Sequence, residues 1–179
     1  MVKGTRMNLR DRRLRKEWEQ LQALAAANPD ILAAVERVPG EFHVTFANSP
    51  AWACEAGKTY VRAEHVLRYV FPRYYPTLPL DAYFVKPVFH PNVDQENGFV
   101  CLWHEYRPGL TIIDAIHITR SIMAHRCVNQ DPAHCMQPGA YVVHELDIPS
   151  MIIPSCCNPV LPEPRSGRRP RLTSTLPEK

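Results

Sequence analysis

Lysine is scarce in this chain. Lys3, Lys16, Lys58, Lys86 and Lys179 are the whole complement among 179 residues, and arginine supplies the rest of the positive charge. The formal net charge is only +3, so no global excess marks the chain as a nucleic-acid binder. No run approaches the ~18 apolar residues that a membrane span needs. The basic start is not followed by an apolar stretch, so no signal peptide is expected. The six cysteines have spacings that suggest no disulfide framework and include no Cys-x-x-Cys pair. The expected setting is therefore the cytoplasm, where thiols stay reduced. No internal repeat is visible, and one domain is expected at this length.

What charge there is, is uneven. Residues 1–16 hold Lys3, Arg6, Arg10, Arg12, Arg13, Arg15 and Lys16 against the single acid Asp11. Such a run is usually a solvated face, but it can also dock an acidic partner or nucleic acid. No aromatic residue is interleaved with it, which favours a protein partner.

A hydrophobic fraction of 45% is enough for a core. Leu14, Trp18, Leu21 and Ala25 recur at helical spacing and predict an amphipathic helix over residues 9–27. Asn28-Pro29 ends it, and a short second helix is expected over residues 30–37, broken by Pro39-Gly40. Alternation predicts a strand over residues 42–46, a longer one over 60–70 and a third over 82–85. The links are too short for helical crossovers, so the pairing should be antiparallel. Prolines deny a central strand to residues 71–80 and leave a rigid aromatic loop. Thr111, with Asp114 three residues on, reads as a helix N-cap, and Ile112, Ala115, Ile116, Thr119 and Met123 share one face. A last short helix is expected from Ala140. Residues 1–153 then form the domain, and the proline- and arginine-rich residues 154–179 are expected to be a disordered tail.

The most informative stretch is Val88-Phe89-His90-Pro91-Asn92-Val93, followed by Asn97-Gly98-Phe99-Val100-Cys101-Leu102. It sets an amide side chain, a glycine turn and a thiol in one short loop. A thiol accepts an acyl group as a thioester that stays activated. An amide N–H beside it can stabilise the oxyanion formed when an amine attacks.

The order of helix, antiparallel strands, proline loop, His-Pro-Asn, cysteine and helix resembles the ubiquitin-conjugating enzymes, from about Arg10 to His144. Tyr75-Pro76-Thr77-Leu78-Pro79-Leu80 resembles that family's Tyr-Pro-x-x-Pro-Pro. His90-Pro91-Asn92 is its signature triplet, and Cys101-Leu102 resembles its active-site pair. Arg107-Pro108-Gly109-Leu110-Thr111 stands where the family has Ser-Pro-Ala-Leu-Thr, and Asn129-Gln130-Asp131-Pro132 resembles its acidic loop. The resemblance implies an α+β fold with an N-terminal helix, a four-stranded antiparallel sheet and C-terminal helices. It implies a transferase that takes a ubiquitin-like protein from an activating enzyme onto Cys101 and passes it to a lysine of a target protein. No cofactor is implied, because ATP is consumed upstream. The basic first helix is the face that commonly meets the activating enzyme.

The chain also departs from the pattern. One extra residue lies between Asn92 and Cys101, and the segment from Cys101 to Pro108 is shorter and lacks the family's tryptophan before Ser-Pro. Thr77 replaces a common ligase-contacting aromatic, which argues against ordinary RING-type ligases and leaves any ligase open. These departures resemble the divergent conjugating enzymes of bacterial ubiquitin-like operons, several of which serve antiphage defence.

The expected roles are then Cys101 as the thioester carrier, Asn92 as the oxyanion donor, and Asp131 as the carboxylate that orients the incoming ammonium and helps remove its proton. Asn92 can instead serve as a turn residue, and Asp131-Pro132 can simply make a turn. His90 is expected to hydrogen-bond the loop. His125, Cys127, His134 and Cys135 cluster in sequence, but lack zinc-ligand spacing, so no metal is expected. The alternatives are a non-catalytic scaffold of the same fold that binds the ubiquitin-like protein, and a cysteine hydrolase pairing Cys101 with His90 or His104.

Overall fold

The computed structural model describes residues 8–129, 131–142 and 161. Most of the expected tail, with Lys3 and Arg6 of the basic run, lies outside the described residues. From the 154–179 stretch Leu161 is described. It is buried in the core, and its N–H reaches His117 Nδ1 at 3.4 Å.

Helix α1 runs over Leu9–Ala27, starting where Asn8 Oδ1 accepts the Asp11 N–H and ending at Asn28, whose side-chain amide donates to the Leu24 carbonyl. Both ends thus satisfy backbone groups that a helix leaves orphaned. Leu14, Leu21 and Leu24 form its buried side. Fully burying a leucine stabilises by about 1.5–3 kcal/mol, so this side fixes how α1 lies on the sheet.

Residues 30–37 are not the expected helix. They contribute most of strand β1, Leu32–Val38, which pairs antiparallel with β2, Glu41–Phe46. Leucine, alanine and glutamate there favour a helix locally. The partner wins: Pro39-Gly40 folds the chain back so that Val35 sits opposite Val44. Strand β2 alternates as its sequence predicts, with Phe42, Val44 and Phe46 buried.

The expected long strand over 60–70 is two strands. Ala51–Glu55 (β3) and Lys58–Arg62 (β4) form a separate two-stranded hairpin, and His65–Val70 (β5) returns to the main sheet. The hairpin turns at Ala56-Gly57, both at positive φ (49° and 75°), as a tight turn matched to strand twist requires. β3 escaped notice because its inward positions are the small Ala51 and Ala53 rather than β-branched residues.

Asp81–Phe84 (β6) and the short Phe99–Val100 (β7) complete an antiparallel sheet in the order β1-β2-β5-β6-β7. Four strands were expected; β7 extends the sheet to five. Helix α2, Ile112–Met123, opens with the expected capping box between Thr111 and Asp114 and buries Ile112, Ala115, Ile116, Thr119 and Met123. Tyr69 on β5 donates to Thr119 Oγ1 at 3.0 Å, tying α2 to the sheet. A final helix starts at residue 138 and is described to residue 142. No helix among the described residues is long and apolar enough to cross a membrane.

Candidate active site

Cys101 follows β7 directly and is half-buried. Its place is set by the turn before it. Asp94 Oδ1 accepts the N–H groups of Glu96 and Asn97 at 2.8 and 3.0 Å, and Asn97 Oδ1 accepts the Phe99 N–H at 2.7 Å. Asparagine and aspartate thus build the turn by bonding nearby backbone. Gly98 has φ +77°, and an added Cβ would stand 2.1 Å from the Phe84 carbonyl oxygen. Only glycine fits there. The Gly98 carbonyl accepts the Phe84 N–H at 2.8 Å, pinning the turn to β6.

His90-Pro91-Asn92 lies alongside. His90 is fully buried, and its Nδ1 accepts the Asn92 N–H at 3.0 Å, the loop role expected of it. The Cys101 N–H donates to the Asn92 carbonyl at 2.8 Å. The Asn92 side chain returns the connection: Nδ2 donates to the Cys101 carbonyl at 3.3 Å. Its Oδ1 accepts the Asn129 N–H at 2.7 Å. An amide nitrogen carries two hydrogens, so one remains beyond the bond to Cys101.

Burial pushes the Cys101 thiol up from its ordinary value, and burial followed by the nearby Cys101 does the same to Cys127. Cysteine hydrolases need the opposite, a thiolate favoured by a cationic neighbour. His90, one of the two partners in the hydrolase reading, accepts the Asn92 N–H on its Nδ1.

The loop after the thiol is pinned too. Trp103 Nε1 donates to the Leu80 carbonyl at 3.0 Å, and Tyr106 Oη donates to the Pro76 carbonyl at 2.6 Å, so both aromatics close onto the proline loop. Thr77 is exposed on that loop, as are Tyr74 and Leu78.

Two residues of the basic first helix turn inward. Arg10 donates to the Phe71 and Pro72 carbonyls, and Arg13 donates to Glu17 and to the Leu110 carbonyl. Glu17, buried in the middle of α1, also accepts from Tyr75 Oη at 2.7 Å and from the Ile112 N–H at 2.8 Å. The second of these caps the positive end of α2 with a carboxylate. Nothing local in the sequence marks Glu17, since glutamate on a helix normally faces solvent and its partners lie 58 and 95 positions away.

Asp131 is exposed and begins a one-turn 3-10 helix, Pro132–His134. Its Oδ1 accepts the Ala133 N–H at 2.9 Å and its Oδ2 bonds His134 Nδ1 at 2.6 Å. The His134 bond, then the Ala133 N–H, hold this carboxyl below its ordinary range. His125, by contrast, is buried edge-on to His90, with ring centroids 4.3 Å apart. Among the described residues no group of three or more histidine, cysteine, aspartate or glutamate side chains is placed to hold a metal.

Solved structures with this architecture include a protein described as a ubiquitin-conjugating enzyme from Trypanosoma cruzi (TM-score 0.59, 21% identity, covering 82% of this chain and 97% of that one). Another, from Plasmodium yoelii, has TM-score 0.54 and 18% identity over 78% of this chain and 88% of that one. At these identities the likeness speaks for the fold. No curated protein matches the chain. The family model for ubiquitin-conjugating enzymes matches residues 13–142, from within α1 to the start of the last helix. That stretch holds the sheet, the proline loop and the whole Asn92–Cys101 arrangement, and on it this chain belongs to the ubiquitin-conjugating enzyme family.

Proposed function

We propose that this chain takes a ubiquitin-like protein from an activating enzyme as a thioester on Cys101 and transfers it to a lysine of a target protein. Family membership already implies the activating enzyme and the ubiquitin-like protein as partners. The observation that carries the reading is the two-way link between Asn92 and Cys101: backbone to carbonyl at 2.8 Å, side chain to carbonyl at 3.3 Å. It fastens the Asn92 amide to the Cys101 backbone, which supports Asn92 as a donor to the oxyanion of an attacked thioester.

Asn92 is the proposed oxyanion donor, and Asp131 the proposed carboxylate that orients the incoming ammonium and helps its deprotonation. The proposed compartment is the cytoplasm, and nucleic acid and membranes are not partners in this reading. The longer Asn92–Cys101 segment, the shorter one after Cys101 and Thr77 support a place among divergent bacterial conjugating enzymes with a role in antiviral defence. The solved structures named above come from protozoan parasites and lend that setting no support.

The test is charging. The protein is mixed with an activating enzyme, its ubiquitin-like protein and ATP, and run on non-reducing gels with and without thiol. A thiol-sensitive adduct that Cys101→Ala removes supports the proposal. Binding of the ubiquitin-like protein that survives Cys101→Ala, with no adduct in the parent, would replace it with a scaffold.

A further inference from the structure

Asn129 and Met136 staple the segment that carries Asp131 and His134 to the His-Pro-Asn segment. At one end the Asn129 N–H meets Asn92 Oδ1 at 2.7 Å; at the other the Met136 N–H meets the Pro91 carbonyl at 2.9 Å. Asn129 also bonds within the stapled segment. Its Oδ1 accepts the Asp131 N–H at 3.1 Å and its Nδ2 donates to the His134 carbonyl at 3.2 Å. One pair of amides therefore runs from Cys101 through Asn92 and Asn129 to the Asp131–His134 pair. That pair stands on the surface, with its side chains 52% and 75% exposed, open to an arriving side chain.

Both oxygens of Asp131 already accept a hydrogen bond, one from Ala133 and one from His134. The bond to His134 favours the ionised carboxylate. A carboxylate so held is a poor base for an ammonium, because a base works best when its own proton affinity suits the operating pH. Its contact with Nδ1 has another effect: it fixes the ring and leaves Nε2 as the free nitrogen. Among the described residues Asp131 is the charged side chain in contact with His134.

We propose that His134 is the proton acceptor for the incoming lysine, and that Asp131 is a positioning residue acting through it. This rests on the transfer reading above. Lysine arrives as an ammonium, since its ordinary pKa is about 10.4. Nε2 of His134 takes one proton, and the freed lone pair forms the C–N bond at the thioester carbonyl carbon. The C–S bond breaks and its electron pair goes to Cys101 Sγ. A second amine proton passes to that thiolate, the product amide keeps the third, and the proton on His134 is released to solvent.

The test avoids the unidentified partner. Cys101 of the full chain is charged by thiol exchange with a synthetic peptide thioester, and single-turnover discharge is followed with free lysine and, separately, with hydroxylamine. Hydroxylamine is already neutral at pH 7 and needs no base to deprotonate it. Rates are taken per charged molecule. His134→Gln should slow discharge to lysine about tenfold or more while its hydroxylamine rate stays within about twofold of the parent. Asp131→Asn should also slow discharge to lysine, by less than His134→Gln does, with its hydroxylamine rate again within about twofold of the parent. Equal loss with both amines would make the pair structural and overturn the proposal, as would no loss with lysine. Failure of the parent protein to charge or discharge at all would instead overturn the transfer reading, and this inference with it.

Discussion

The side-chain oxygen of Asn92 accepts the backbone N–H of Asn129 at 2.7 Å, joining two loops 37 positions apart. The same amide donates to the Cys101 carbonyl. One side chain thus holds the Cys101 loop and the Asn129 loop in register, and its loss should separate two effects. Asn92→Ala should slow transfer to lysine by about 10²-fold, the scale of a lost oxyanion donor, and slow charging far less. Single-turnover charging and discharge rates measure the two steps. Equal loss in both would mean that the loops have come apart.

Gly98 sets the approach to Cys101 and has no room for a side chain. Gly98→Ala would place a methyl 2.1 Å from the Phe84 carbonyl at φ +77°. The substitution should destabilise the fold by about 2 kcal/mol or more. Urea unfolding monitored by tryptophan fluorescence reads this directly. An unchanged midpoint would show that the turn shifts freely.

Glu17 joins three parts of the molecule. It is bonded to Arg13, to Tyr75 of the proline loop and to the first N–H of α2. Removing its carboxylate leaves the partly buried Arg13 without a counter-charge, and Tyr75 Oη and the Ile112 N–H without their acceptor. Glu17→Ala should therefore cost about 3 kcal/mol or more, and Glu17→Gln, which keeps the shape and an acceptor, less. Comparing the two unfolding curves tests whether the carboxylate itself matters. Equal, small effects would remove Glu17 as the joint between α1, α2 and the proline loop.

His65 makes stability depend on pH. Burial, with the Arg62 charge second, pushes it from its ordinary 6.5 down to about 4. The neutral ring is thus the form the fold holds. As pH falls below 6.5 the unfolded chain takes up a proton that the folded chain refuses, so stability is lost from there down through about pH 4. The urea midpoint should fall between pH 7 and pH 4.5, and should fall less in His65→Gln. An identical fall in the variant would assign the effect to other groups.

Much of the fold was legible because it follows local rules. The bounds of α1, the Thr111–Asp114 cap of α2 and the alternation of β2 need only neighbouring residues to be read. β1 was misread because its helix-favouring residues answer to β2, a partner that composition does not reveal. The β3–β4 hairpin was missed because its inward positions are alanines and its turn is Ala-Gly rather than Asn-Gly. In the site, the turn into Cys101 was visible as Asn97-Gly98. Asn129 was read only as part of an acidic loop, and His134 only as a metal ligand to be set aside. Their contacts with Asn92 and Asp131 are ones that sequence spacing does not predict.

Cys101, and no other thiol, is the proposed carrier of the activated protein. The described cysteines Cys54, Cys127 and Cys135 are free alternatives in the same chain. Peptide mapping of the charged protein under acidic, thiol-free conditions distinguishes them. The C-terminal carboxyl of the ubiquitin-like protein should be found on the peptide containing Cys101, in a linkage that added thiol releases. A thiol-labile linkage on Cys127 or Cys54, or charging that persists in Cys101→Ala, would contradict the proposal.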